Sequence, residues 1–575
     1  MLLDKIRTPQ DLKGWSLKQL GELATEVRSF LIESISRTGG HIGANLGVVE
    51  LTIALHRVFD ADQDKFLFDV GHQGYTHKLL TGRREIFSTL NTPGGMSRFL
   101  TPSESPYDVL DASHAGTAIS VGSGLAQAML HDTKPGLVVA VIGDGSLVEG
   151  MSYEALNFVG DQPLPMVLVI NDNGMSIPPN VGGIRHLFAH RQWEQKCEAY
   201  FTGLGYRYQA VPDGHDLEDL VLNFSKARQI APDGPVVVHV KTEKGRGLAI
   251  ARDHPYKLHF SMPFDPATGA GSSPVPPGRL YTAIVGETLG KLIDDDKDIY
   301  ALTPATPYAS GLDAVMVNHP GRVLDVGMAE QHAAGMAAGL AMAGKKVFAC
   351  YQSTFLQRAM DQLIHDIAYL KLPVTIIAAR SGFAGFDSPT HHGIYDLSWL
   401  QAVPNLKIFY AGTSRDLQAV LKDRAQAADG PLVILHPYEA VWSGETEHLP
   451  AATTPLEQPE VLSKGADGLI LTVGNRLPTG VALRDQLRHT TDAEFELVNV
   501  RWLNPLPTGF LETALENGRP VITLEEGRAR GGFGAAMALF LADRGLVNPL
   551  HISAVRDEFV PTGDKDALSV ACGLD

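Results

Sequence analysis

The stretch from Val138 to Met175, VVAVIGDGSLVEGMSYEALNFVGDQPLPMVLVINDNGM, constrains the fold more than any other part of the chain. Its apolar runs, Val138 to Ile142 and Met166 to Ile170, read as strands buried on both faces, and Ser152 to Gly160 between them has helical spacing. Strand, helix and strand in that order make a βαβ unit with parallel strands. Each strand ends in a polar turn at the carboxyl edge of the sheet, Gly143, Asp144 and Gly145 after the first and Asn171, Asp172 and Asn173 after the second. Open α/β sheets bind ligands at that edge. A carboxylate, an amide oxygen and a nearby backbone carbonyl form a hard, oxygen-only, partly open shell. Such a shell suits magnesium held jointly by the protein and a diphosphate.

GDG followed, one helix and one strand later, by an Asn resembles the thiamine diphosphate fingerprint. A bare GDG also marks ordinary βα turns, so on this motif alone both readings stand. By the resemblance Asp144 and Asn173 ligate the metal and the carbonyl of Met175 completes the set. Gly143 and Gly145, with Ser146 beside them, let the backbone approach the phosphates.

A chain of 575 residues, 44% hydrophobic, has room for about three to four domains. Its net charge of -17 and pI near 5.6 argue against nucleic acid and anionic membrane as partners, since both are bound through clustered positive charge. A small anionic substrate would need a locally basic pocket. Cys197, Cys350 and Cys572 lie far apart without CxxC spacing, which argues against disulfides and structural zinc and fits a reducing cytoplasm. With no signal peptide and no apolar run of spanning length, the expectation is a soluble, cytoplasmic protein.

In chain order, Ser16 and Gln19 form a capping pattern that opens a helix with apolar Leu20, Leu23, Val27 and Leu31, ending at Gly39 and Gly40. Three Gly-bounded turns follow, each with histidine: TGGHIGANL with His41, DVGHQGYTHKLLTGR with His72 and His77, and ASHAGTAIS with His114. Any one of these imidazoles is an ordinary core or surface residue on its own. Three such turns at one sheet edge point to a cofactor domain.

TGGHIGANLGVVELTIALHRVFD, DVGHQGYTHKLLTGR, GDGSLVEGMSYEALN and NDNGMSI together resemble the 1-deoxy-D-xylulose-5-phosphate synthase family, relatives of transketolase, over nearly the whole chain. The resemblance implies three α/β domains of the transketolase type, each a mainly parallel sheet flanked by helices. It places His41 and His72 beside the reacting carbon, Ser113 and His114 near the diphosphate, and Ile177 as an apolar wedge under a bent thiamine. His259, in KTEKGRGLAIARDHPYKLHF, would join His41. Between His190 and Phe201 the chain largely lacks a longer insertion usual in the family, a cut that a fold tolerates at modest cost.

FDPATG (Phe264 to Gly269) and GAGSSPVPPG read as an exposed linker, and residues 440–465 as a second, dividing the chain into domains 1–268, 278–440 and 460–575. In the middle domain, DVGMAEQHAAG puts Glu330 at a helix start. Its bland reading is a surface carboxylate favoured by the helix dipole. By the resemblance it hydrogen-bonds the aminopyrimidine ring of the cofactor. Phe355 would stack on that ring and Arg358 suits a phosphate. AARSGFAGFDSPTHHG holds Arg380, Asp387, His391 and His392. The bare pattern could be a metal site, whereas the family counterpart has Asp387 and His391 facing substrate and Arg380 near the acceptor's phosphate. The last domain offers no constellation and reads as structural.

Two positions depart from the family. Gln352 stands where Tyr is usual, and Tyr438 replaces an Arg that would bind the acceptor's phosphate. Losing one charge-assisted contact costs about 1.5 to 3 kcal/mol. The reaction implied is decarboxylation of pyruvate and transfer of the two-carbon unit to D-glyceraldehyde 3-phosphate, with thiamine diphosphate and Mg2+, in a homodimer. The pyruvate half is intact and the aldehyde half altered. Alternatives are a paralogue with the same cofactor chemistry and a different or unphosphorylated acceptor, and a catalytically weak relative. A Rossmann dehydrogenase is disfavoured, because GDGSLVEG lacks GxGxxG spacing.

Overall fold

The computed structural model describes residues 1–111, 113–132, 136–271, 279–445 and 454–575. Two compact units result, Met1–Val275 with Gly327–Ala329 and Pro276–Val326 with Glu330–Asp575. Among the described residues no helix is long and apolar enough to cross a membrane.

The first unit is built on five parallel strands, β1 (Lys65–Phe68), β2 (Val138–Gly143), β3 (Met166–Asp172), β4 (Arg207–Val211) and β5 (Val236–Lys241), in the order β1-β2-β3-β5-β4. Alternate side chains of the central strands go to opposite faces. Val139, Val141, Val167 and Val169 pack with the helices Val49–Val58 and Leu217–Ile230. Val138, Ala140, Ile142, Leu168 and Ile170 pack with the helices Ala118–Met129, Gly150–Gly160 and Trp193–Gly203. Each buried aliphatic side chain contributes about 1.5 to 3 kcal/mol, which is why both faces must be covered. Register pairs Ile142 with Ile170 and Gly143 with Asn171, and the N–H of Asp144 donates to the carbonyl of Asn171 at 3.1 Å. The two polar turns therefore leave neighbouring strands at one level.

The helix Leu17–Thr38 begins in the expected capping box, with the Gln19 N–H donating to Ser16 Oγ at 3.4 Å and the Ser16 N–H to Gln19 Oε1 at 3.0 Å. It ends where Gly39 takes φ 72°. Its apolar face builds a separate core that also contains Phe264. That corrects part of the expected first linker: Phe264 is buried and bridges to Gly271, while residues 272–278 of that stretch lie outside the described residues. After Asn180 the chain forms two helices, Gly182–Phe188 and Trp193–Gly203. The Lys241 ammonium, 4.8 Å from the Trp193 ring and bonded to the Phe188 carbonyl at 2.7 Å, ties them to the sheet.

The second unit holds two sheets. The larger contains β6 (Ile299–Thr303), β7 (Val323–Asp325), β8 (Lys346–Gln352), β9 (Val374–Ser381), β10 (Lys407–Tyr410) and β11 (Leu432–Pro437), all parallel. The smaller contains β12 (Glu460–Ser463), β13 (Gly468–Thr472), β14 (Phe495–Asn499), β16 (Val521–Arg528) and β17 (Leu550–Val555), in the order β12-β14-β13-β16-β17. β15 (Trp502–Asn504) comes from the C-terminal part of the chain but pairs antiparallel with β10, completing a seven-stranded sheet in the order β15-β10-β11-β9-β8-β6-β7. The expected second linker is also corrected. Glu460–Ser463 is a strand, because Glu460 is buried against Arg501 and the β12 backbone pairs with β14, while 446–453 lie outside the described residues.

Candidate active site

In the first unit the edge of β2 and β3 gathers the oxygen donors that the motifs single out. Asp144 is 1% exposed, and its carboxylate accepts from Asn180 Nδ2 at 3.2 Å and from the Asn173 N–H at 3.4 Å. The Asn173 amide oxygen accepts the Met175 N–H at 3.1 Å. Asn173, Met175 and Ile177 are half-buried. Behind Gly143 and Asp144, the Ser146 carbonyl is held by Ser152 Oγ at 2.9 Å. A Cβ on Gly145 would lie 2.6 Å from that of Ser176, so only glycine lets the two turns approach this closely.

Burial raises the Asp144 carboxyl above its ordinary range, and the charge of Asp172 raises it further. Burial would raise Asp172 as well, yet the His239 ring at 2.8 Å and the Lys241 ammonium outweigh it and hold that carboxyl low. Asp172 is thus satisfied by the protein, and Asp144 is not. Lys244, absent from the expected site, is buried, donates to the Ser176 carbonyl at 2.9 Å, and is pushed down to about 7 by burial. It lines a cavity of about 400 Å³ with Asn173, Met175, Gly245, Gly247 and Lys257. The sequence signal was a lysine in a Gly-rich turn just past a strand end.

This chemistry fits a divalent cation carrying an anionic ligand. A desolvated carboxylate short of positive charge gains from the cation. Among the described residues no group of three or more His, Cys, Asp or Glu could hold a metal.

The histidine turns converge in the same unit. Gly40 and Ser261 exchange two backbone hydrogen bonds of 2.9 Å, which brings His259 to His41. The His41 ring centroid lies 5.3 Å from His72 and 5.4 Å from His259, and His72 lies 5.1 Å from His259. Asn45 fixes two of these turns at once, donating to the carbonyls of His41 (2.6 Å) and His72 (2.7 Å) while accepting the Tyr75 N–H (2.8 Å). Burial pushes His72 down to about 4 and His259 well below the ordinary imidazole range. His259 Nδ1 is buried with no hydrogen-bond partner among the described residues. His77 belongs elsewhere, packed with His56 at 2.9 Å and Asp108 at 3.2 Å in a buried structural network. The turn with Ser113, buried, and His114, half-buried, is fixed from below by Asp69, which accepts the N–H groups of Gly116, Thr117 and Ala118. Ala112 of that motif lies outside the described residues.

In the second unit Glu330 opens the helix Glu330–Met342 and is 4% exposed, which overturns the bland reading of a surface carboxylate. Its backbone carbonyl accepts the Tyr351 hydroxyl at 3.4 Å. Gln352, the next residue on β8, is buried too, on the opposite side of the strand. The Phe355 ring meets His391 edge-on at 5.5 Å, and Arg358 is half-buried on the following turn. The metal reading of Asp387, His391 and His392 fails. Both His392 nitrogens are committed, to the Ala384 N–H at 2.8 Å and the Pro561 carbonyl at 3.0 Å.

Arg380 ends β9 with φ 69°, a strained backbone for a branched-off charged residue. Its guanidinium lies 4.5 Å from the Tyr438 ring and 5.4 Å from Tyr308, with the charge of Asp387 acting on it. Lys565 brings its ammonium to 4.6 Å from the same Tyr438 ring. Tyr308 and Lys565 carried no motif, and Lys565 brings the C-terminal part of the chain against Tyr438.

Comparison with known proteins gives one answer. Residues 3–200 match the family model described as 1-deoxy-D-xylulose-5-phosphate synthase, 279–441 the transketolase pyrimidine binding domain and 457–575 the transketolase C-terminal domain. The chain is 39% identical to 1-deoxy-D-xylulose-5-phosphate synthase 2 of Geobacter sulfurreducens over 618 residues, covering 100% of this chain and 97% of that one. As 618 exceeds the 575 residues present, the relative carries several dozen residues that this chain lacks. Identity to the 1-deoxy-D-xylulose-5-phosphate synthase of Lysinibacillus sphaericus is 36%, covering 99% and 95%. Among solved structures, a transketolase mutant of Pichia stipitis is 16% identical with a TM-score of 0.45, covering 96% of this chain and 95% of that one. The chain belongs to the 1-deoxy-D-xylulose-5-phosphate synthase family and is a transketolase-like, thiamine diphosphate-dependent transferase.

Proposed function

We propose that this enzyme decarboxylates pyruvate and joins the two-carbon unit to D-glyceraldehyde 3-phosphate, giving 1-deoxy-D-xylulose 5-phosphate. The observation that carries the reading is the pair of register-locked turns that set buried Asp144 and Asn173 beside a lysine-lined cavity. Asp144, Asn173 and the Met175 carbonyl would hold Mg2+, and Gly143, Gly145, Ser146, Ser113, His114 and Lys244 would surround the diphosphate. Ile177 would support the thiazolium, while Phe355 and Glu330 would take the aminopyrimidine. Thiamine diphosphate, when bound, supplies the carbanion-stabilising chemistry that both half-reactions need.

The chain's own residues do the rest. Buried Glu330 would accept a hydrogen bond from a protonated ring nitrogen of the bound aminopyrimidine and so orient that ring. His72 and His259, neutral at physiological pH because burial lowers both, accept or donate hydrogen bonds to substrate oxygens, and His41 completes their cluster. Asp387 and His391 orient the substrate, and Arg358 and Arg380, near Gln352 and Tyr438 in the substrate-binding set, meet its charge. The division into 1–268, 278–440 and 460–575 follows these roles. Exposed Val121, Tyr153 and Phe158 on the first unit, and Met342, Tyr369 and Leu370 on the second, support a homodimer. Unpaired Cys197, Cys350 and Cys572 fit the cytoplasm.

The test is carbon dioxide release from pyruvate with thiamine diphosphate and Mg2+, with and without the aldehyde phosphate, alongside cofactor binding to Asp144→Ala. At saturating Mg2+ the variant should bind thiamine diphosphate about 100-fold more weakly; undiminished binding overturns the metal assignment. Tyr438, in place of an Arg, favours one second reading, an unphosphorylated acceptor, which a panel of aldehydes separates from the first.

A further inference from the structure

Arg380, already placed in the substrate-binding set, and Lys565, which has no role above, face one aromatic ring from two different parts of the second unit. Arg380 sits at the end of β9 and Lys565 at the start of the last helix, Lys565–Cys572, with their charged groups 4.5 and 4.6 Å from the centre of the Tyr438 ring. Lys565 also donates to the Tyr438 carbonyl. Neither forms an ion pair among the described residues. Asp387 acts on Arg380 through its charge, and Glu439 and Glu526 act on Lys565. Glu526 pairs with Arg476 at 2.7 Å and accepts from Asn475, and Asn475 also donates to Glu439 at 2.8 Å.

A ring quadrupole stabilises a cation by only about 0.5 to 2 kcal/mol and cannot neutralise two. Two cations on one ring leave a locally basic place that an anionic group can join. Burial lowers the Lys565 ammonium from its ordinary range, while the charges of Glu439 and Glu526 support it and those of Arg380 and Arg476 oppose it. The ammonium has three donors, and the Tyr438 carbonyl takes one.

We propose that Lys565 is a specificity-determining residue that binds the phosphate of the aldehyde acceptor together with Arg380, supplying the positive charge that Tyr438 does not. The proposal rests on the reading of the reaction given above and deepens it. Tyr438 is then the platform that spaces the two cations, and an acceptor without phosphate leaves them unbalanced.

The experiment compares wild type, Lys565→Met and Lys565→Arg, each loaded with thiamine diphosphate and Mg2+. Calorimetric titration with glycerol 3-phosphate, and with glycerol as control, reads the site without turnover. Carbon dioxide release from pyruvate reads the rest of the active site. Lys565→Met should bind glycerol 3-phosphate about 10-fold or more weakly, with the KM for pyruvate unchanged, and Lys565→Arg should restore most of the affinity. Equal binding by wild type and Lys565→Met overturns the proposal, as does a parallel fall in pyruvate turnover that Lys565→Arg does not rescue, since that marks a structural lysine. Absence of pyruvate turnover in wild type overturns the reaction instead, and the glycerol 3-phosphate titration still decides the role of Lys565.

Discussion

At the scale of single residues, position 330 combines a helix start with near-complete burial, so its carboxylate is there for something other than solvent. Glu330→Gln keeps the shape and removes the proton acceptor; kcat for pyruvate turnover should fall by roughly 10²- to 10⁴-fold, while unfolding by urea stays close to wild type. His436 makes a separate, purely energetic prediction. It is fully buried, with Nδ1 3.2 Å from the Pro437 carbonyl, and burial pushes it down to about 4. The folded chain keeps this imidazole neutral while the unfolded chain takes up a proton below pH about 6.5. Its stability contribution is therefore present above that pH and is lost as pH falls toward 4, ~3 kcal/mol in full. Urea midpoints measured from pH 7 to pH 4 should slope less steeply in His436→Gln. Asp144, Asn173, Glu330 and the three histidines were legible because each sits in a short motif whose spacing survives in the sequence. Asn45, Tyr308 and Lys565 were not, because their roles arise from packing between segments far apart in the chain.

At the scale of elements, the strands read directly from the sequence are those buried on both faces, such as β2 and β3, whose continuous Val, Ile and Leu runs have no other use. β4, β12, β15 and β17 are harder to read, since all lie at sheet edges, where half-exposed positions admit charge and the apolar pattern breaks. β6 is interior and was passed over because IYALT is short and follows an acidic run. Helix ends were clearer where caps mark them. Ser16→Ala should cost about 1 kcal/mol, read as a shift in the denaturation midpoint, because it removes the capping box of Leu17–Thr38. Gly286 in the helix Tyr281–Asp295 is under a stronger constraint, as a Cβ there would lie 2.1 Å from the Gly311 carbonyl oxygen. Gly286→Ala should destabilise the second unit by about 1 to 3 kcal/mol, measured the same way.

At the scale of the whole molecule, the sequence divides the C-terminal part from the middle one, but the structure of the second unit sews them together. Arg501 bonds Asp416 at 2.9 Å and Glu460 at 3.1 Å, and Asn499 donates to Asp416 at 2.9 Å, all of them buried. Arg501→Met would leave buried Asp416 without its cation and Glu460 with Arg415 alone, and should cost about 3 to 5 kcal/mol. Both sheets should lose that stability together, so tryptophan fluorescence and far-ultraviolet circular dichroism should show one shared transition at a lower urea concentration. β15 carries a practical corollary for anyone who divides this gene for expression as two polypeptides. A break just before residue 454 would leave the middle piece with a bare β10 border that its own coding sequence cannot fill, and the other piece would have to lend it the missing ribbon, so the halves should purify as one tight complex or not at all.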